Sequence, residues 1–215
     1  MNHCSCTGPH DGRRVVLTGG PGAGKSAVLE LIRLFFCSHV RTLPEAAGIV
    51  FGGRFPRNGR IEVRRAAQRA IYYVQRELES TVVPAESAVV LCDRGTVDGY
   101  AYWEGEGDLW QAVGTTREAE LARYTAVIHL RTPSAPDAYD HENPLRIESQ
   151  AEARQIDARI AAAWAGHPHL HEIPATHDFL AKATRALELL RAHVPECCRR
   201  SLHDLGGRWE VGGGR

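Results

Sequence analysis

Five short apolar runs alternate along the chain with segments whose apolar residues recur at helical spacing. The first run, 15–17, is followed by a glycine-rich turn and then by Val28, Leu31, Ile32 and Phe35, which share one face of a helix. Further apolar runs that predict strands lie at 40–43, 87–92, 126–130 and 169–173. This alternation predicts an α/β fold of three layers, with a five-stranded parallel sheet and helices on both faces.

The segments between the strands predict helices over 63–78, 116–124, 156–164 and 179–190. The pattern therefore indicates one domain over 13–194, with a loose polar leader over 1–12 and a poorly ordered, glycine-rich tail over 195–215. Segment 48–59 is rich in glycine and arginine, which predicts a mobile stretch on the substrate side.

The turn after the first strand fits the spacing G-x-x-x-x-G-K-[ST] in the strand–loop–helix context that this motif needs. Glycine lets backbone N–H groups converge on a phosphate, and the helix that follows adds its positive N-terminal end. The chain has only two lysines, Lys25 and Lys182, and one of them stands in the motif. The predicted nucleotide-binding residues are Gly19, Gly20, Pro21, Gly22, Ala23, Gly24, Lys25 and Ser26.

The charge balance and the lengths of the apolar stretches argue against some classes of binding partner and location. Acidic and basic residues balance at 26 each, which argues against a general nucleic-acid or acidic-membrane surface. No stretch approaches the length of an apolar membrane span, and the N-terminus lacks the apolar core of a signal peptide, so we expect a cytoplasmic protein.

Two acidic positions follow predicted strands at the edge of the sheet where the phosphate loop lies. Asp93 emerges from the third strand and, with the Ser26 hydroxyl, is placed to hold Mg²⁺; Arg94 can balance charge on a transferred phosphoryl group. Glu45 follows the second strand and is placed to accept a proton from an acceptor hydroxyl. Simpler structural roles are also open: a turn cap for Asp93 and Arg94, and a helix-start acid for Glu45.

These motifs together resemble one family. Gly-Gly-Pro-Gly-Ala-Gly-Lys-Ser at 19–26, Pro-Glu-Ala-Ala at 44–47, Asp-Arg-Gly-Thr at 93–96 and Arg-Ile-Glu at 146–148 are similar to P-loop NTPases and kinases. That family includes ribosylnicotinamide-kinase-like domains and AAA-type predicted ATPases, and more broadly resembles nucleoside and nucleotide kinases. The resemblance implies Arg146 as a further catalytic residue, and it implies a lid, for which the proline-containing, acidic segment 132–143 is the candidate.

We therefore predict a Mg²⁺-dependent kinase that moves the γ-phosphate of ATP or GTP to a nucleoside-like small-molecule acceptor. The alternative is a regulatory NTPase without such an acceptor. No Asn/Thr-Lys-x-Asp motif is present, which argues against a G-protein-like switch, and a mechanical AAA+ ATPase would need a second helical domain and an Asp-Glu pair after the third strand.

Cysteines and histidines offer other chemistry. Cys37 and Cys92 are predicted core thiols, whereas Cys4, Cys6, Cys197 and Cys198 lie in the two tails at spacings that match no familiar zinc motif. Three alternating histidines could share one strand face, although an exposed edge is the simpler interpretation; they are His167, His169 and His171. The aromatic cluster over 100–110 could stack a base or pack the core.

Overall fold

A computed structural model describes residues 4, 6–133, 149–176 and 178–199. Its centre is a five-stranded, all-parallel sheet in the order β2-β3-β1-β4-β5. The strands are β1 (Arg13–Thr18), β2 (Val40–Leu43), β3 (Val89–Asp93), β4 (Ala126–Leu130) and β5 (Leu170–Ile173). The predicted fold class and all five predicted strands are confirmed.

Helices connect the strands and cover both faces of the sheet. They are α1 (Lys25–Phe35), α2 (Ala46–Gly52), α3 (Ile61–Ser80), α4 (Leu109–Val113), α5 (Arg117–Leu121), α6 (Gln150–Trp164), α7 (Phe179–His193) and α8 (Glu196–Arg199). Two short 3-10 segments, Pro84–Glu86 and Thr96–Tyr102, flank β3.

The central strand β1 is apolar because helices bury both of its faces. Val15 and Leu17 belong to a core shared with α1 and α7, and Val16 faces the opposite core, shared with α3 and α6. Trp164 at the end of α6 is fully buried in that second core. Both cores are therefore built on alternate residues of the same strands.

Two segments differ from what the sequence pattern predicted. The stretch predicted to be mobile over 48–59 begins as helix α2, which starts directly after Glu45. The tail predicted to be poorly ordered begins with helix α8, and Cys198 on that helix is buried against the core. Most of the predicted lid, together with Arg146 and the tail from 200, lies outside the described residues.

Parallel strands place their carboxyl ends along a single edge of the sheet. The loop that precedes α1, the start of α2 and the residues after β3 all leave from this edge, because they follow β1, β2 and β3. Among the described residues, no helix has the length and apolar character needed to cross a membrane.

Candidate functional site

The loop between β1 and α1 depends on glycine at both ends. Gly19 has φ 142°, and a Cβ at that position would lie 2.1 Å from the carbonyl oxygen of Leu130. Gly24 has φ 91° and immediately precedes α1, so the helix opens from a left-handed residue. Only glycine adopts this loop without strain, as the phosphate-binding motif requires.

The side chain of Lys25, the first residue of α1, folds back over the phosphate loop that precedes the helix. Its Nζ donates to the carbonyl oxygen of Gly19 at 2.9 Å and is 3.4 Å from that of Gly20. Burial and, after it, the nearby charge of Arg94 lower the pKa of Lys25 to about 8, although Asp93 and Glu45 oppose this shift. A polyanion at the loop would supply the negative charge that this ammonium needs.

Asp93, at the end of β3, is a buried carboxylate with an open coordination position. Among the described residues, no group hydrogen-bonds to its Oδ1, and burial raises the pKa of Asp93 to about 6 against the opposing charge of Lys25. Ser26 lines the same cleft. Hydroxyl and carboxylate oxygens are the ligands that Mg²⁺ prefers, so these two residues fit the metal that the sequence predicts.

Arg94 is held by two carboxylates from different elements. Its Nε lies 2.6 Å from Oε1 of Glu45, and its Nη1 lies 3.3 Å from Oδ1 of Asp98. The backbone of Arg94 has φ 69°, a left-handed conformation that is uncommon outside glycine, and its N–H donates to the carbonyl oxygen of Leu17 at 3.0 Å. Strained backbone of this kind is frequent where a side chain must be aimed at a ligand.

Asp98 supports this arrangement and was not predicted. Its Oδ1 accepts a hydrogen bond from the Thr18 hydroxyl, and its Oδ2 accepts from the N–H of Gly95 at 2.9 Å and from Trp164 Nε1 at 3.3 Å. The sequence signal was an acidic residue three positions after Gly95, the spacing of a capping box at a helix start.

A second carboxylate that the sequence did not predict holds the phosphate loop through a hydrogen bond from the side of α6. Oδ1 of Asp157, on α6, accepts from the N–H of Gly20 at 2.9 Å and lies 2.8 Å from Nε2 of His129. Its other oxygen lies 3.2 Å from Nε of Arg131. Burial opposes ionisation of Asp157, but these partners outweigh it and lower the pKa of Asp157. Arg131, which borders the predicted lid, therefore belongs to this support.

Seven of the predicted site residues line one cleft of about 830 Å³, namely Pro21, Gly22, Lys25, Ser26, Glu45, Asp93 and Arg94. Its lining runs from Lys25 and Ser26 past Glu45, Asp93 and Arg94 to α2, α3 and α6. Three arginines also line it: Arg57 and Arg64, which belong to the arginine-rich stretch over 54–69 that the sequence offers as a possible anion site, and Arg159, which the sequence did not single out. The described part of the chain thus brings together every predicted catalytic residue except Arg146, which lies outside it.

Most of the aromatic cluster packs rather than facing the cleft. Tyr100 stacks on Trp110 with ring centroids 5.5 Å apart, and the Arg65 guanidinium lies 5.2 Å from the ring centroid of Trp103. Tyr102, by contrast, lines the cleft and lies under the Arg94 guanidinium. Tyr102 is therefore the residue of this aromatic cluster that lines the cleft.

The alternating histidines do not share an exposed strand face. His167 precedes β5 and is buried; its Nε2 lies 2.9 Å from the carbonyl oxygen of Tyr124, and its Nδ1 accepts from the N–H of His169 at 3.1 Å. The prediction of an exposed edge is wrong for His167, because the turn before β5 folds this ring into the core.

A family model described as an AAA domain matches residues 14–179, which include the phosphate loop, Glu45, Asp93 and Arg94. The chain belongs to this AAA domain family. The family that the sequence predicts, P-loop proteins that include AAA-type domains, is confirmed. No curated protein sequence matches this AAA domain chain.

Solved structures share the fold of this AAA domain chain at low sequence identity. The NadR protein in complex with NR has a TM-score of 0.62 at 15% identity, and the one in complex with NAD and AMP-PNP has 0.57 at 14%. The matches cover 86% and 85% of this chain but only 52% and 49% of the two NadR chains. The chain thus spans about half the length of NadR.

Two kinases match over nearly their whole length. Deoxyadenosine kinase from M. mycoides with bound dATP has a TM-score of 0.59 at 12% identity, with 83% of this chain and 98% of that chain covered. Thymidylate kinase from Candida albicans has 0.55 at 12% identity, with 85% and 92% covered. The fold of this AAA domain chain is therefore that of P-loop kinases.

Proposed function

We propose that the protein transfers the γ-phosphoryl group of ATP or GTP to a hydroxyl or phosphate of a small nucleoside-like acceptor. The observation that supports this most directly is the extent of the cleft. It extends from the phosphate loop to a second compartment, defined here as the part lined by α2, α3 and the segment after β3, and the paired residues Glu45 and Arg94 also line it. A site that only bound a nucleotide would not need this second compartment.

Donor binding rests on the phosphate loop. The N–H groups around Gly22 and the ammonium of Lys25 would contact the phosphates, since both residues line the cleft at the start of α1. Ser26 and Asp93 would hold Mg²⁺, which would neutralise charge on the phosphates. Binding would draw Lys25 from the loop carbonyls to the outer phosphates.

The second compartment has the composition of a nucleoside pocket. Phe51, Tyr102 and the buried amide side chain of Gln68 line it, which combines aromatic surface with hydrogen-bonding groups. Arg57 lines the same space and lies over the Phe51 ring at 4.9 Å from its centroid. A base could stack here, while the arginine suits an acceptor that already has a phosphate.

Glu45 and Arg94 would act on the transfer itself. Burial opposes ionisation of Glu45, but the charges of Arg94 and Lys25 outweigh it and lower the pKa of Glu45, so this carboxylate is ionised at neutral pH. An ionised carboxylate between donor and acceptor can take the proton from an acceptor hydroxyl. Arg94 would stabilise the charge of the transferred group, with Glu45 and Asp98 fixing its direction.

The test is a single-turnover transfer assay with γ-labelled ATP and GTP against nucleosides, nucleoside monophosphates and small alcohols. We expect one acceptor class to be phosphorylated and Lys25→Ala to abolish most of the transfer. Lys182→Ala serves as the matched control, since the chain has only these two lysines and Lys182 instead donates to the carbonyl oxygen of Arg131. Tight nucleotide binding with no phosphorylated acceptor would favour the regulatory NTPase.

A further inference from the structure

The first described residues and the last described helix meet beside the start of β2, where cysteine and histidine side chains converge. Cys4 and Cys6 precede β1, Cys37 and His39 lie between α1 and β2, and the vicinal cysteines 197 and 198 lie on α8. Five of the six cysteines of the chain come together here, and only Cys92 is elsewhere. This position is at the amino ends of the strands, the opposite edge from the phosphate loop.

The first group consists of Cys4, Cys37, His39 and Cys198, whose four potential ligand atoms all lie within 4.8 Å of one another. The two sulfurs of Cys4 and Cys198 are 3.9 Å apart. Nδ1 of His39 lies 3.5 Å from the Cys198 sulfur and 3.0 Å from the Cys4 sulfur. In a tetrahedral zinc site, two ligand atoms on the same ion are about 3.8 Å apart if both are sulfurs and about 3.6 Å apart if one is nitrogen. The 3.9 Å between the two sulfurs and the 3.5 Å between His39 Nδ1 and the Cys198 sulfur match these values.

The second group consists of Cys6, His10, Cys197 and again Cys198, also within 4.8 Å of one another. Nε2 of His10 lies 3.7 Å from the Cys6 sulfur and 3.8 Å from the Cys198 sulfur, and the two vicinal sulfurs are 3.9 Å apart. The rings of His10 and His39 are neighbours, with centroids 4.7 Å apart. Two four-ligand groups therefore meet at one sulfur.

We propose that these groups bind two zinc ions that share the thiolate of Cys198. Each ion would have three sulfurs and one imidazole nitrogen, the soft four-ligand set typical of structural zinc. Binding converts each thiol to a thiolate and releases its proton to water, so two Zn²⁺ ions displace five protons from five thiols. Because protein ligands fill all four positions of each ion, the proposed site is structural rather than catalytic.

Zinc would fasten three segments to one another. Among the described residues, the segment before β1 contacts the chain before β3 through backbone hydrogen bonds, such as that from the N–H of His10 to the carbonyl oxygen of Ala85 at 3.1 Å, and its Cys4 and Cys6 pack against the core. Helix α8 has four residues, too few to be stable by itself. A metal that joins both to the turn before β2 would stabilise them in the folded state only.

Metal content and site-directed variants test the proposal on the full chain. We expect protein purified under reducing conditions to contain two zinc ions per chain by inductively coupled plasma mass spectrometry. Cys4→Ser should leave one, Cys6→Ser should leave one, and Cys92→Ala, a buried thiol outside both groups, should keep two. Less than one zinc per chain in the wild type, with no uptake of added zinc, would overturn the proposal.

Two further measurements use the wild-type chain, so they do not depend on whether a variant folds. Cobalt titration of zinc-depleted wild type should give thiolate charge-transfer absorption that saturates at two equivalents, and a chelator should lower the unfolding temperature, with recovery on adding zinc but not magnesium. Saturation at one equivalent would overturn the shared-thiolate pair. Mass spectrometry would detect a Cys4–Cys198 disulfide as a loss of two hydrogens. If that disulfide persists in protein purified under reducing conditions, the two sulfurs are joined covalently rather than through a metal, and the zinc proposal is overturned.

Discussion

Nε of Arg94 lies 2.6 Å from Oε1 of Glu45, so the residue that follows β3 is bound to the one that follows β2. Both elements end at the edge where the phosphate loop begins. Both residues line the cleft that also contains Lys25 and Ser26. Arg94 has in addition a left-handed backbone, a conformation that costs about 1–3 kcal/mol and persists only where the surrounding structure imposes it.

Replacing Glu45 by glutamine keeps its shape and removes its charge. We expect Glu45→Gln to lower single-turnover phosphoryl transfer by about 10²–10⁴-fold and to change nucleotide affinity little, because a general base acts on the acceptor. Glu30→Gln is the control, since Glu30 is an exposed carboxylate on α1, outside the cleft lining, that pairs with Arg33. Wild-type transfer in the Glu45 variant would exclude it as the base.

Arg94 provides a test of whether Glu45 acts directly or only by orienting the guanidinium. We expect Arg94→Gln to lower turnover more than nucleotide affinity, because the arginine acts on the transferring charge. In the Arg94→Gln background, Glu45→Gln should still lower transfer. If the double variant is no slower than Arg94→Gln alone, the role of Glu45 is positioning.

Asp93 should make the stability of the nucleotide-free protein depend on pH. Its folded-state pKa of about 6 lies above the ordinary value of 3.8, so the folded protein holds a proton between these pH values that the unfolded chain releases. The contribution of Asp93 to the free energy of unfolding therefore rises as pH falls through 6. At pH 7.5 the buried charge is a cost, and we expect Asp93→Asn to raise the free energy of unfolding by about 1–2 kcal/mol.

Urea denaturation between pH 4 and pH 8 without metal or nucleotide measures this difference. The gain from Asp93→Asn should vanish towards pH 4, where the wild-type carboxyl is protonated. Asp11→Asn, at an exposed carboxylate paired with Arg13, is the exposed control. A difference that is constant over this range would show that Asp93 does not titrate as its burial implies.

Lys25 should take up a proton when a nucleotide binds. Its pKa of about 8 in the free protein means that part of the population is neutral at pH 8.5, and triphosphate charge favours the ammonium form. Calorimetric titration with ATP in buffers of different ionisation enthalpy should reveal this uptake at pH 8.5 and much less at pH 6.5. The uptake should disappear in Lys25→Met and persist in Lys182→Met, because Lys182 contacts the carbonyl oxygen of Arg131 and does not line the cleft.

Gly20 should tolerate no side chain. A Cβ there would lie 2.5 Å from Oγ1 of Thr132, 2.8 Å from Cβ of Asp157 and 2.9 Å from the carbonyl oxygen of Ala153. We expect Gly20→Ala to lower the free energy of unfolding by about 1–3 kcal/mol and to weaken nucleotide binding, because the loop must shift. Gly52→Ala, with nothing within 4 Å of its Cβ, should be neutral in thermal unfolding. Equal effects of the two changes would contradict the packing described behind the loop.

The sequence by itself determined the sheet and the chemistry of its edge. Apolar runs such as 89–92 predict strands buried on both faces, and the spacing of Gly19, Gly24, Lys25 and Ser26 is local, so it needs no knowledge of the fold. Asp93 and Glu45 could be placed because parallel strands put their carboxyl ends on one side, a rule that follows from connectivity.

The tertiary structure alone decided which distant residues meet. Asp157 supports Gly20 from 137 positions away, and Cys37 joins Cys4 and Cys198 although its own surroundings in sequence are those of a core thiol. No local pattern encodes such contacts, because they depend on how α6 and α8 pack against the sheet. A carboxylate on a helix has the same sequence signature whether it faces solvent or accepts a hydrogen bond from a loop N–H. Likewise, a cysteine that follows a helix has the same signature whether its thiol lies in an apolar core or among other cysteines and histidines. Only packing determines these neighbours.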